Sequence, residues 1–111
     1  MLFKNAPDKF WDLISSKYAA SPIQDRTAYE AKIQKIKTYL TAEKVVLDIG
    51  CATGTQCGDI ADNVKQVTGI DISRKLLAIA EQRKAERNLD NITFLQTSLF
   101  DEHFQPGSFD V

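Results

Sequence analysis

Cysteine and histidine are scarce in this chain. Its 111 residues include two cysteines, Cys51 and Cys57, and one histidine, His103. Two thiols six positions apart match no zinc-ligand spacing and give no disulfide framework. Cys57 shares a helical face with Ile60, Ala61 and Val64, which makes it a small core residue. Cys51 falls in a loop of small residues, where packing suits it better than reactivity. His103 stands alone in a polar stretch and carries no chemistry by itself. An excess of one charge is also missing. Fourteen basic residues face fifteen acidic ones, for a net charge of −1, so there is no electrostatic case for nucleic acid or for an anionic membrane. No apolar run approaches a membrane span, and no secretory-type segment follows Lys4, so the cytoplasm is the expected location. What remains, 43% hydrophobic and 26% charged residues, is the composition of a globular domain or part of one.

The hydrophobic pattern divides the chain in two. Residues 1–40 read as two amphipathic helices. Asn5-Ala-Pro-Asp8 resembles a helix start, and Phe10, Leu13, Ile14 and Tyr18 form an apolar stripe. Ser21-Pro-Ile-Gln24 repeats the start signal as a capping box, with Asp25 as an alternative cap. Tyr29, Ile33, Ile36 and Leu40 form the second stripe, leaving Lys32, Lys35 and Lys37 as a solvated face. From residue 41 the period changes. Val45-Val-Leu-Asp-Ile49 is too short for a helix and rich in β-branched residues, so it reads as a strand buried on both faces. A helix from about Thr55 to Asn63 follows, in which Gly58 lowers helix propensity by roughly 1 kcal/mol relative to Ala; close packing of helix on sheet is the expected compensation. A second strand, Gln66–Ile70, ends at Asp71. Ser73 caps a third helix that reaches about Arg87, with Leu76, Leu77, Ile79 and Ala80 inward. Ile92–Gln96 alternates as an edge strand should. Phe100 to Gly107 is loop, and Ser108–Val111 looks like the start of a fourth strand. The fold class is therefore α/β: the first half of a Rossmann-like, doubly wound, mostly parallel sheet, preceded by a helical cap or lid over 1–40.

Between the first strand and its helix lies the loop Gly50-Cys-Ala-Thr-Gly54. Small residues there let backbone approach a ligand closely, and a strand, such a loop and a helix N-terminus form the nucleotide corner of this architecture. A dinucleotide fingerprint needs G-x-G-x-x-G, whereas Gly50–Thr55 reads G-x-A-x-G-T. Asp48, inside the strand, is ill placed beside a pyrophosphate. It suits a cationic or zwitterionic ligand end, where it can order the loop by accepting backbone hydrogen bonds and favour an ammonium.

Asp48-Ile-Gly-Cys-Ala-Thr-Gly54 resembles the first motif of class I S-adenosylmethionine-dependent methyltransferases, an acid followed by G-x-G-x-G, with Ala52 in place of the middle glycine. Thr53 and Thr55 resemble the family too. The resemblance covers residues 40–111 and implies that Asp48, Gly50, Cys51, Ala52 and Gly54 cradle the methionine part of S-adenosylmethionine. Gly69-Ile-Asp-Ile-Ser73 resembles the second motif, which implies that Asp71 accepts from the ribose hydroxyls and Ile72 packs on adenine. An acid there would equally suit the ribose of NAD, or cap a helix. At the third motif the family has an acid; here Ser98 takes its place, Leu99 remains an apolar wall, and Asp101 follows. In many members the first helix lies over the cofactor, which gives Tyr18 either a lid role or a packing role.

The expected activity is methyl transfer from S-adenosylmethionine to a small-molecule acceptor. The alternatives are a nicotinamide-dependent oxidoreductase and a truncated, non-catalytic cofactor-binding module. Because the first strand has a central strand's composition and needs a neighbour on each side, the element starting near Phe109 is expected beside it, and the 111 residues are expected to be the front part of a larger domain. Substrate and catalytic groups are then expected beyond Val111. No metal ligand set or membrane contact is expected.

Overall fold

The computed structural model describes residues 7–20, 25–98 and 108–111. In chain order the elements are α1 (Pro7–Ala20), α2 (Arg26–Lys37), β1 (Val45–Ile49), α3 (Thr55–Ile60) continued by a 3-10 turn (Ala61–Asn63), β2 (Gln66–Asp71), α4 (Arg74–Glu86) and β3 (Ile92–Gln96). The three strands form one parallel sheet in the order β1-β2-β3. Parallel neighbours need a crossover, and α3 and α4 provide the two crossovers. The register sets Asp48 opposite Gly69 and Asp71 opposite Gln96, so both carboxylates lie toward the carboxyl edge of the sheet.

Burial follows the apolar pattern where it is strongest. Cys57, Ile60, Ala61 and Val64 are all buried, and they pack with Val46, Val67 and Ile92 of the sheet. Ile33 of α2 joins the same cluster, with Tyr29, Ile36 and Leu40 packed against it. Helix α2 starts after Asp25, whose side chain accepts from Ala28 N–H at 2.9 Å; Ser21–Gln24 lie outside the described residues. Ser73 caps α4 by accepting from Leu76 N–H at 3.2 Å. Residues 109–111 run beside β1 on the side away from β2. Asp110 N–H donates to Val45 O at 2.7 Å and Leu47 N–H to Val111 O at 2.8 Å, while the Asp110 carboxylate accepts from Val45 N–H at 2.8 Å. The expected neighbour near Phe109 is in place.

Three expectations are corrected. Leu13, assigned to an inward stripe of α1, is 80% exposed. Phe10 and Ile14 of that stripe are half-buried, and Asp12, Ser15 and Ala19 line a second sheltered side at three- and four-residue spacing. Ser15 is buried and donates to Asp12 O at 2.9 Å. β1 is not buried throughout: Val46 is, but Ile49 is 55% exposed because the carboxyl end of the strand opens onto a cavity. Nor does Gly58 press α3 on the sheet. A Cβ there would run into the guanidinium of Arg87, with Leu89 Cδ1 at 3.7 Å beyond it. The close approach occurs at Gly69 of β2, where a Cβ would stand 2.9 Å from Cys51 Sγ and from Phe94 Cδ1.

Candidate functional site

The loop after β1 makes its turn by alternation. Gly50, Ala52 and Gly54 all have positive φ, at 69°, 52° and 75°. Glycine meets that requirement freely, but alanine does so against the clash of its Cβ with the backbone. One bond fixes the alanine: Ala52 N–H donates to Asp71 Oδ2 at 3.0 Å. Cys51 N–H donates to Ile70 O at 2.9 Å, and Gly54 N–H to Cys51 O at 2.9 Å. The other Asp71 oxygen accepts from Ser73 N–H at 2.9 Å. Asp71 thus joins the first loop to the turn into α4, and the capping of α4 itself falls to the Ser73 hydroxyl.

Asp48 behaves differently from expectation. Among the described residues its carboxylate bonds no backbone amide. It accepts from the Cys57 thiol at 3.2 Å. Burial pushes the Asp48 carboxyl up from the ordinary aspartate value, and the Cys57 bond and the charge of Lys32 oppose that rise. The Cys57 thiol is pushed up as well, by its bond with Cys51, by burial and by the neighbouring Asp48 charge, so it stays protonated and unreactive. The loop-ordering role foreseen for Asp48 belongs to Asp71.

Two cavities open at this edge of the sheet. One, of about 500 Å³, is bounded by Gly50, Ala52, Asp71, Ile72 and Ser98, with Ile49, Ile70 and Leu76 as apolar walls. The second, of about 750 Å³, has Asp48, Cys51 and Lys32 in its lining. Gly50, Ala52 and Tyr18 belong to both. Tyr18 is 45% exposed, so it contributes to the cavity walls rather than to the core. Of the residues singled out from sequence, the structure brings together Asp48, Gly50, Cys51, Ala52, Asp71, Ile72 and Ser98. Gly54 is turned away. It precedes α3 and faces Phe94, whose Cζ would be 2.8 Å from an added Cβ. Leu99, Asp101 and His103 lie outside the described residues.

Other polar residues at the site carry no local sequence signal. The Asp12 carboxylate of α1 accepts from Ser73 Oγ at 2.5 Å and from Lys75 N–H at 3.1 Å. The Ser73 bond is the main reason its pKa is held below the ordinary value. Arg83 of α4 donates to Thr53 Oγ1 at 2.9 Å and to Ala19 O at 3.1 Å, which links the loop to the end of α1. Tyr29 of α2 donates to Asp59 Oδ2 at 2.7 Å, and Arg87 reaches the other Asp59 oxygen at 3.3 Å. Polar contacts therefore add to the apolar packing of α2 in holding both N-terminal helices against the nucleotide corner.

A sheet of this order, a turn of small residues and two carboxylates at the strand ends define a nucleotide-binding α/β domain. A family model described as "Methyltransferase domain" matches residues 40–111, and the chain belongs to this family, the class I S-adenosylmethionine-dependent methyltransferases. It is 39% identical over 91 residues to a demethylmenaquinone methyltransferase of Porphyromonas gingivalis, a match that covers 78% of this chain and 36% of that protein. It is 34% identical over 88 residues to an uncharacterized RNA methyltransferase of Enterococcus faecalis, covering 78% of this chain and 18% of the relative. The structure of a DhpI–SAH complex superimposes with a TM-score of 0.70 at 24% identity, covering 89% of this chain and 46% of that one, a likeness of fold. The chain spans about a third of the length of the first relative and about a fifth of the second.

Proposed function

We propose that the paired cavities bind S-adenosylmethionine and that the chain is the cofactor-binding part of a methyltransferase acting on a small-molecule acceptor. One observation carries the reading: a carboxylate, Asp71, stands between the small-residue loop and Ile72 at the wall of a mostly apolar cavity. A nucleoside fits such a lining, because Asp71 can accept from adjacent ribose hydroxyls and apolar walls can flank the base. A pyrophosphate would meet repulsion from both Asp71 and Asp48. In the second cavity Asp48 suits an ammonium, and Gly50, Cys51 and Ala52 suit the chain that bears it. Gly54 would act by shaping the turn. Ser98 would accept from the adenine amino group, with Leu99 beyond it, and Tyr18 would close the site from α1 as a lid.

When bound, S-adenosylmethionine supplies an activated methyl group, so the protein has chiefly to bind, orient and exclude water. The residues described here perform the first two tasks, and none of them need act as a base. A small-molecule acceptor is supported by the demethylmenaquinone in the name of the 39% identical relative and by the near-neutral charge of the chain. Calorimetry with S-adenosylhomocysteine and with NAD is the test. Binding of the former alone is expected, together with its loss in Asp71→Ala. Binding of NAD alone would overturn the reading.

A further inference from the structure

The larger cavity contains both signs of charge. Asp48 lies in its lining, and three cations, Arg26, Lys32 and Arg83, surround it. Two of the three are already engaged. Arg26 pairs with Glu30 at 3.6 Å, one turn further along α2. Arg83 directs its two terminal nitrogens at Thr53 and Ala19. Lys32 has no hydrogen bond or ion pair among the described residues, and its Nζ lies 5.6 Å from the centre of the Tyr29 ring. Its helix is well fixed, with Ile33 in the core and Tyr29 bonded to Asp59. The solvated-face reading from sequence therefore holds for exposed Lys35 but misses Lys32, which is exposed and yet lines the cavity.

We infer that Lys32 binds the α-carboxylate of the cofactor's amino-acid end, opposite Asp48, which takes the ammonium. This rests on the cofactor assignment proposed above and extends it to an element outside the resembling motifs. An α-amino acid is a zwitterion, and a cavity with one acid and one uncommitted cation offers both complements. The electrostatics are consistent with this pairing, since Lys32 already acts on Asp48 through space. The ammonium group of lysine is a compact point charge on a flexible stem, able to follow a carboxylate as the cavity fills.

Calorimetric titration of the whole chain with three ligands tests the assignment. S-Adenosylhomocysteine has the complete amino-acid end, decarboxylated S-adenosylmethionine keeps only the ammonium, and 5′-methylthioadenosine has neither group. Lys32→Met is expected to weaken S-adenosylhomocysteine by about tenfold, the order of a charge-assisted hydrogen bond, and not to weaken the other two. Lys32→Arg is expected to restore most of the loss. The loss should shrink at high salt, because this lysine remains in contact with solvent. Equal binding of S-adenosylhomocysteine by the unsubstituted and Lys32→Met chains would overturn the inference and leave the cofactor assignment standing. Weakening of all three ligands alike would also overturn it, since that pattern reports damage to the nucleoside cavity. If the unsubstituted chain binds none of the three, the cofactor assignment falls and Lys32 with it.

Discussion

Asp48 carries a conflict between folding and binding. Its carboxyl is pushed above 3.8 by burial, so the folded chain keeps this proton to higher pH than the unfolded chain does. Between 3.8 and the raised folded value, the folded state holds more protons, and stability falls as pH rises through that window. Above it, the ionised group opposes folding. Asp48→Asn is therefore expected to raise the melting temperature at pH 7, with the advantage shrinking in acid where Asp48 is itself protonated. Each ~1 kcal/mol recovered would appear as roughly 4–6 °C in a chain of this size. The same variant should bind S-adenosylhomocysteine more weakly. Calorimetry and a thermal melt on one preparation check both halves, and a lower melting temperature would refute the burial account.

At the scale of elements, α1 is tied to α4 by polar contacts. Asp12 bonds Ser73 and Lys75 at the start of α4, where the helix dipole also favours a negative charge. Because the Asp12 pKa is lowered, this tie is complete above 3.8 and is lost as pH falls through the lower folded value. Asp12→Asn is expected to speed hydrogen exchange in α1 at neutral pH while α4 stays protected. The difference from the unsubstituted chain should vanish once acid has protonated Asp12. These contacts also show what the sequence could not reveal. Val45–Gly54 announces a strand and a turn through local composition, and Ser73 announces a helix start. The bonds from Asp12 to Ser73 and from Arg83 to Ala19 span some sixty residues and leave no periodic trace. Leu13 shows the same limit: its spacing places it with Phe10 and Ile14, which are half-buried, yet it is 80% exposed.

On the scale of the whole molecule, the sheet has an open side. Residues 110–111 engage β1 on one flank, but among the described residues no strand pairs with the outer edge of β3. That edge carries Leu95, 42% exposed, and a row of backbone groups able to bond a second chain. Self-association that grows with concentration is expected in sedimentation velocity, and Leu95→Lys should reduce it by placing a charge on the edge. A chain that stays monomeric at high concentration would argue against this edge. The central architecture was readable from sequence because alternating strands and helices dictate a parallel sheet, and the expected pairing partner for β1 near Phe109 is present. The edge position of β3 was readable as well, in the alternation of Ile92–Gln96, and among the described residues no strand lies beyond it.

The bond between Ala52 and Asp71 has a consequence beyond this one molecule. Alanine at φ 52° is disfavoured by about 1–2 kcal/mol relative to its right-handed conformations, and the Asp71 carboxylate is the anchor that holds it there. Substitutions at the two positions should therefore be tolerated in order rather than independently. A lineage can exchange glycine for alanine at position 52 while the acid at 71 is present, but losing the acid first would leave glycine as the better-tolerated residue. Aligned relatives should accordingly show alanine at 52 together with an acid at 71, and glycine at 52 wherever that acid has been lost.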